Sequence, residues 1–297
     1  MWQPEPDWER LPGGYGTATQ GVWRAGPGVV VKRLTAPLPG DPAELSDPES
    51  PGWWRREADV ALSGVVERSD GLRGDPVGVE EDDAGVTLTL PFHEREPLSG
   101  LYVARSLGRF AGTDLGGRPW LARSQLRSRL ARVAYRGGWR TLARTSVADV
   151  AEHLWSHRAE QLARLDALPQ VSQHGDPVPG NLVGPAGEGI LALDWGTLGT
   201  GPVGADLGYW SLSAREEFEP LLEAYLDGLP AGLATADEAA SGARITAAYT
   251  VLTRAEWALA RAADGDGALA GKFRHPSVAP YLLALQRQFP QIEALLA

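Results

Sequence analysis

With 297 residues, 43% of them hydrophobic and 22% charged, the chain can bury a sizeable core in two lobes or two domains, as ordinary soluble globular proteins do. The formal net charge of −10 argues against a general nucleic-acid binder, which needs a basic surface; it suits a cationic substrate or simply solubility. Zero cysteine excludes disulfides, thiolate metal sites and cysteine nucleophiles, and no window approaches the roughly 20 apolar residues of a membrane helix.

The start, "MWQPEPDWERLPGG", has no basic stretch followed by an apolar run. No signal peptide is therefore expected, and a cytoplasmic location is. "LPGGYGTAT" (11–19) places Gly14, Gly16 and Thr17 where backbone N–H groups could cover phosphates, although it is not a strict G-x-G-x-x-G. "GVWR" (21–24) and "GVVVKRL" (28–34) predict two strands joined by the hairpin-like turn "AGPG". "TAPLPGDPAELSDPESP" (35–51), with its prolines, predicts a long irregular loop, either a lid or an insertion. "WWRREADVALSGVV" (53–66) has helical spacing, and "GVTLTLPF" (85–92) predicts a strand after the solvated turn "EEDDAG".

After Pro97 the spacing turns helical, with candidates near 100–112, 119–136, 147–168, 205–227, 237–263 and 277–296. Only 181–183 and 189–194 read as strands there, flanking the turn "GPAGEG". The expected architecture is α+β and bilobal: a small β-rich lobe over 1–92 and a larger, mainly helical lobe over 93–297. His153 and His157 lie four apart on one helix, a metal-compatible spacing that without a third ligand reads as a helix face. The arginine-rich segment 115–148, which has no acid, reads as a solvated face pairing with the acidic remainder or as a grip on a phosphate-bearing substrate or a partner.

The chemistry concentrates in "SQHGDPVPGNLVG" (172–184), which holds the chain's one asparagine, Asn181, after His174 and Asp176. "GILALDWG" follows, a buried strand ending in Asp194. A hairpin of 181–183 with 189–194 would set Asn181 beside Asp194, an amide oxygen and a carboxylate that are hard ligands suited to magnesium. Asp176 would stand nearby as a positioned base. H-x-D-x-x-x-x-N followed by D-aromatic-G is the constellation of kinase-type phosphoryl transfer. That chemistry also needs a cation on the phosphates. Lys32, in "VVVKRL", is one of two lysines among 28 basic residues, and Glu57 on the next helix is placed to hold it.

These residues resemble the aminoglycoside phosphotransferase and choline kinase family, which has the protein-kinase-like fold. "HGDPVPGNLV" is similar to its catalytic loop, with glycine where protein kinases have arginine, and "LALDWGTLGTGPVGADLG" to its metal-binding segment. The resemblance implies Asp176 as catalytic base, Asn181 and Asp194 as Mg2+ ligands, and His174 as structural support of the loop. It further implies that Asp206 buttresses that loop and that backbone groups of Pro91, Phe92 and His93 hold adenine. Trp257, with Glu256, Asp264 and Asp266 nearby, falls where the family has acceptor-binding helices; an ordinary amphipathic helix with an acidic end reads equally well. Two features depart from the family: Gly196 replaces an often acidic residue, and the proline-rich loop separates Lys32 from Glu57.

The expectation is an ATP- and Mg2+-dependent phosphotransferase acting on a hydroxyl of a small molecule: an aminoglycoside, an amino sugar, another antibiotic or an amino alcohol. A catalytically silent kinase-like binding module is the alternative. No nucleic-acid or membrane partner is expected.

Overall fold

The computed structural model describes residues 2–12, 14, 16, 18–135, 147–263 and 279–296. Its first part runs β1 (Glu9–Arg10), β2 (Thr19–Arg24), β3 (Val29–Thr35), α1 (Arg56–Ser63), β4 (Leu72–Arg73), β5 (Gly78–Asp82) and β6 (Gly85–Pro91). The remainder is α2 (Gly100–Ala111), α3 (Gln125–Tyr135), α4 (Ala148–Asp166), β7 (Gln170–Gln173), β8 (Leu182–Ala186), β9 (Gly189–Ala192), β10 (Gly199–Pro202), α5 (Ala205–Ser211), α6 (Phe218–Gly228), α7 (Ala236–Ala263), α8 (Ala279–Arg287) and α9 (Phe289–Leu296). The chain is thus β-rich at its N-terminal end and helical beyond, as expected.

Five strands form an antiparallel sheet in the order β1-β2-β3-β6-β5. Side chains alternate along β3, so Lys32 shares a face with Leu34 while Arg33 points to the other. Leu34, Val86 and Leu88 pack with Ala58 of α1, which brings that helix onto the Lys32 face. The acidic run "EEDDAG" is only partly a turn, because Glu80–Asp82 complete β5 at the sheet edge. Exposed charge is tolerated on an edge strand and discourages pairing with other chains.

The proline-rich loop is held through its second half. The Arg56 guanidinium is fully buried and donates to the carbonyls of Pro48 and Ser50 in the loop, each at 2.6 Å. It also reaches Trp120 O at 2.6 Å and Gly196 O at 3.1 Å, outside the β-rich part. Burial pulls this group down to about 10, against the pull of Asp59 and Asp47, so it stays charged at neutral pH. Arg123 N–H donates to Glu49 O at 2.9 Å, and Arg132 pairs with Glu44 at 3.1 Å. The loop therefore straps the sheet region to α3.

In the helical part, α7 runs 28 residues and packs against α3, α4, α5, α8 and α9. Leu130, Leu154, Tyr249, Leu252 and Leu285 make its core. Three sequence boundaries shift. The helix expected from 119 begins at Gln125, because Ala122 forms a β-bridge to Gly199. The span 205–227 breaks into α5 and α6, and 277–296 into α8 and α9. Strands β7 and β10 were not visible in the sequence. Among the described residues no helix is long and apolar enough to cross a membrane.

Arg56→Met should lower the unfolding free energy by on the order of 3 kcal/mol, since several charge-assisted bonds vanish and buried carbonyls lose their donor. A urea titration that moves the midpoint by less than about 0.5 kcal/mol equivalent would show that Arg56 does not hold the strap.

Candidate active site

β7 and β10 pair antiparallel with Gln173 opposite Gly199, so the residues after β7 emerge beside those entering β10. From α5 the buried Asp206 carboxylate returns and accepts the N–H of His174 at 2.7 Å and of Gly175 at 3.0 Å. Burial pushes this carboxyl up, opposed by the hydrogen bonds of the two amides. His174 is fully buried; its Nε2–H donates to Leu193 O at 2.9 Å, and its Nδ1 accepts Asp176 N–H at 3.2 Å. Both bonds require the neutral ring with the proton on Nε2.

Gly175 has φ +83°, and a Cβ there would lie 2.2 Å from Gln125 Nε2. The glycine of H-G-D thus answers both a left-handed backbone and a side chain pressed against it. Gln125 is itself held by a 2.8 Å bond to Thr197 O.

Asn181 donates through Nδ2 to Asp176 O at 2.9 Å and Oδ2 at 3.0 Å. Its amide oxygen is the group left to bind elsewhere. Its backbone carbonyl accepts Leu193 N–H at 2.8 Å at the base of the β8–β9 hairpin, which brings Asn181 next to Asp194. Asp194 adopts φ 60° and ψ 59°, a left-handed conformation that aspartate tolerates better than most residues. This bend turns the chain out of β9 and presents a half-exposed carboxylate.

Lys32 Nζ lies between two carboxylates, 2.5 Å from Glu57 Oε2 and 2.8 Å from Asp194 Oδ1. Burial alone would depress the ammonium; Asp194 and Glu57 outweigh it and hold the group above its ordinary range. Lys32 in turn lowers the Asp194 carboxyl. The three groups line a cavity of about 270 Å3 with Asn181, Gly14 and Phe92. Pro91 and His93 also line it, and His93 Nε2 is 2.5 Å from Asp75. The Phe92 N–H is taken by Gly28 O at 2.8 Å, so it is not free to meet a base. Gly16 accepts Thr19 N–H at 2.9 Å, whereas Thr17 lies outside the described residues.

Residues expected on the acceptor side fare differently. Glu256 is fully buried and Trp257 is 40% exposed; neither lines this cavity, and Asp264 and Asp266 lie outside the described residues. Arg254, one helical turn earlier, is the α7 residue that reaches Asp176, with Nη2 3.6 Å from Oδ1. The Tyr209 hydroxyl donates to the same oxygen. Tyr209 was legible in principle, since it follows Asp206 by three and shares its helix face. Arg123, Arg127 and Arg132 pair with carboxylates, while Arg129 donates to Gly175 O at 2.9 Å. His153 and His157 stack at 4.1 Å, and no group of three metal-ligating side chains forms among the described residues.

A sheet-borne lysine held by a helix glutamate, beside an H-x-D loop and a D-W-G carboxylate, is the framework of a kinase-like phosphotransferase. The chain belongs to the phosphotransferase enzyme family, whose family model matches residues 58–240. The amicoumacin kinase hAmiN, in complex with AMP-PNP, Ca2+ and Ami, is similar with a TM-score of 0.58 and 14% identity, over 99% of this chain and 90% of that one. Choline kinase LicA from Streptococcus pneumoniae has a TM-score of 0.55 and 11% identity over 97% and 93%. A choline/ethanolamine kinase family protein from Mesorhizobium loti has 0.52 and 19% over 94% and 92%. At these identities the likeness shows the fold. No curated protein matches.

Gly175→Ala should cost about 1–2 kcal/mol from the left-handed backbone alone, and more through its contact with Gln125. Thermal unfolding of the variant tests this; an unchanged midpoint would mean the loop relaxes without strain.

Proposed function

We propose that the chain is an ATP- and Mg2+-dependent phosphotransferase that moves the γ-phosphoryl group to a hydroxyl of a small molecule, with aminoglycosides, amino sugars, other antibiotics and amino alcohols as the starting range. The observation that carries this reading is one cleft lined by Lys32, Glu57, Asp194 and Asn181, with Asn181 bonded to Asp176. Residues 1–92 serve as the nucleotide-binding lobe and 93–297 as the catalytic and substrate-binding lobe. The AMP-PNP and Ca2+ in the hAmiN complex support nucleotide and divalent-cation use here.

Lys32, steadied by Glu57, neutralises phosphate charge, while Gly14, Gly16 and Thr17 cover the phosphates. Pro91, Phe92 and His93 border the base through backbone groups other than the Phe92 N–H. The donor set fits magnesium: Asp194 offers a half-exposed carboxylate and Asn181 the amide oxygen its Nδ2 bonds leave over. Magnesium commonly takes one or two such ligands and completes its shell with phosphates and water, and when bound it offsets charge on the β- and γ-oxygens. Asp176 accepts the proton of the acceptor hydroxyl as that oxygen bonds to the γ-phosphorus and the bridging oxygen departs with ADP. His174 and Asp206 keep Asp176 in place through the loop backbone.

Asp176→Asn retains shape and loses the base, so turnover should drop by at least roughly 10²-fold while ATP binding persists. The measurement is acceptor-dependent ADP release beside nucleotide affinity. Near-parental turnover in the variant would refute the base role, and a parent with no acceptor-dependent turnover would be a silent binding module.

Asp194→Ala should abolish the tightening of ATP binding by magnesium, because it removes the anionic ligand. Titrations of both proteins with and without the metal decide; an undiminished magnesium effect in the variant would rule Asp194 out.

A further inference from the structure

We infer that the acceptor carries an anionic group, a carboxylate or a phosphate, near the hydroxyl that is phosphorylated, and that Arg254 receives it. This rests on the phosphotransferase reading above and replaces its mainly cationic starting range of acceptors with an anionic one.

The argument begins with what fixes Arg254. Its Nη2 hydrogen-bonds the Tyr209 hydroxyl oxygen, and its guanidinium lies 4.4 Å from the centre of the Tyr209 ring. Arg129 lies 4.6 Å from the same ring centre, so two guanidinium groups pack against Tyr209. Burial pushes the Tyr209 phenol up to about 12, which keeps its proton available for donation to Asp176. The distance from Arg254 Nη2 to Asp176 Oδ1, 3.6 Å, is beyond a hydrogen bond. Tyr209 therefore sets the place of this guanidinium, and Asp176 pairs with it only loosely.

The second step is what Arg254 has left to offer. Among the described residues its polar contacts all leave from Nη2, and a guanidinium carries five donors in a planar fork suited to carboxylate and phosphate. Its side chain is 27% exposed and that of Asp176 is 31%, so each reaches solvent. An acceptor hydroxyl that gives its proton to Asp176 must come within about 3 Å of that carboxylate. The rest of the acceptor then lies within a few ångströms of Arg254. A cationic group there meets a like charge, and an anionic one meets an oriented fork. The overall charge of −10 does not reverse this, because exposed charges beyond roughly 8–10 Å are largely screened at physiological salt.

The test measures ADP release by the whole chain against three sets of hydroxyl compounds. These are hydroxy acids and sugar phosphates; amino sugars, aminoglycosides and amino alcohols; and neutral sugars and polyols. The expected result is kcat/KM at least about 10-fold higher in the anionic set, the worth of one charge-assisted contact, with hydroxy acids against sugar phosphates telling which anion is read. Arg254→Gln should raise KM for the best anionic acceptor by about 10- to 100-fold while KM for ATP stays within about twofold. Preference for the cationic or neutral set overturns the inference, and it does so even if the variant fails to fold. A uniform loss of kcat in Arg254→Gln across all acceptors, with KM unchanged, also overturns it and assigns the guanidinium to the transferred phosphoryl group. Absence of turnover in every set removes the phosphotransferase reading itself, and the inference with it.

Discussion

The buried ammonium of Lys32 is the constraint on which the rest of this structure depends. An isolated charge of this kind costs several kcal/mol to desolvate, so it requires partners with good geometry. Glu57 and Asp194 meet that need from opposite sides at 2.5 and 2.8 Å. The register of β3 between β2 and β6 holds Lys32 on the α1 face of the sheet. That helix must therefore present Glu57, and the chain leaving β9 must present Asp194. Two adjacent residues of α1 divide the work. Glu57 secures the lysine, while Arg56 gathers carbonyls from the proline-rich strap and from both flanking segments of the helical part. One short helix thereby links the cation of the cleft to the packing of the two regions.

The H-G-D loop is held in place for a different reason. Its sequence is rich in glycine and proline, so it cannot satisfy its own amides as a helix would. Asp206 supplies two acceptors to the amides of His174 and Gly175, and the neutral His174 ring spans from Leu193 O to the Asp176 N–H. Each of these bonds fixes backbone rather than the Asp176 carboxylate. The carboxylate is oriented separately, by Asn181 at Oδ2 and Tyr209 at Oδ1. Backbone support and side-chain aim are thus carried by different residues.

That division explains what the sequence could reveal. The meeting of Asp176, Asn181 and Asp194 was legible because kinase-type chemistry asks for particular residue types at short, fixed offsets, and the lone asparagine made the pattern conspicuous. Lys32 and Glu57 were legible because a cation on a strand needs a partner on the next helix. β10 was not, since "GTGP" has no strand propensity. It is a strand because it pairs with β7, and Gly199 is required there because a Cβ would come within 2.0 Å of Ala122 O. The acidic β5 read as a turn, because edge position, which makes its charge tolerable, is a tertiary fact. Arg254 and Tyr209 are 45 residues apart and no periodicity joins them. The resemblance pointed to the acids and the tryptophan beside Arg254, whereas the fold buries Glu256 and brings the arginine to Asp176.

Net charge and local charge act over different distances. A net charge of −10 describes the chain at distances where salt screens it, while recognition at Asp176 is decided within a few ångströms. At that range Arg254 and Arg129 pack against Tyr209, and Arg95 donates to Gly180 O at 2.7 Å on the same loop as Asn181. The arginine-rich segment contributes to this local field through Arg129, whereas Arg123, Arg127 and Arg132 spend their charge on carboxylates. An acidic protein thus builds a basic border around its candidate base by choosing which arginines to neutralise and which to leave facing the loop.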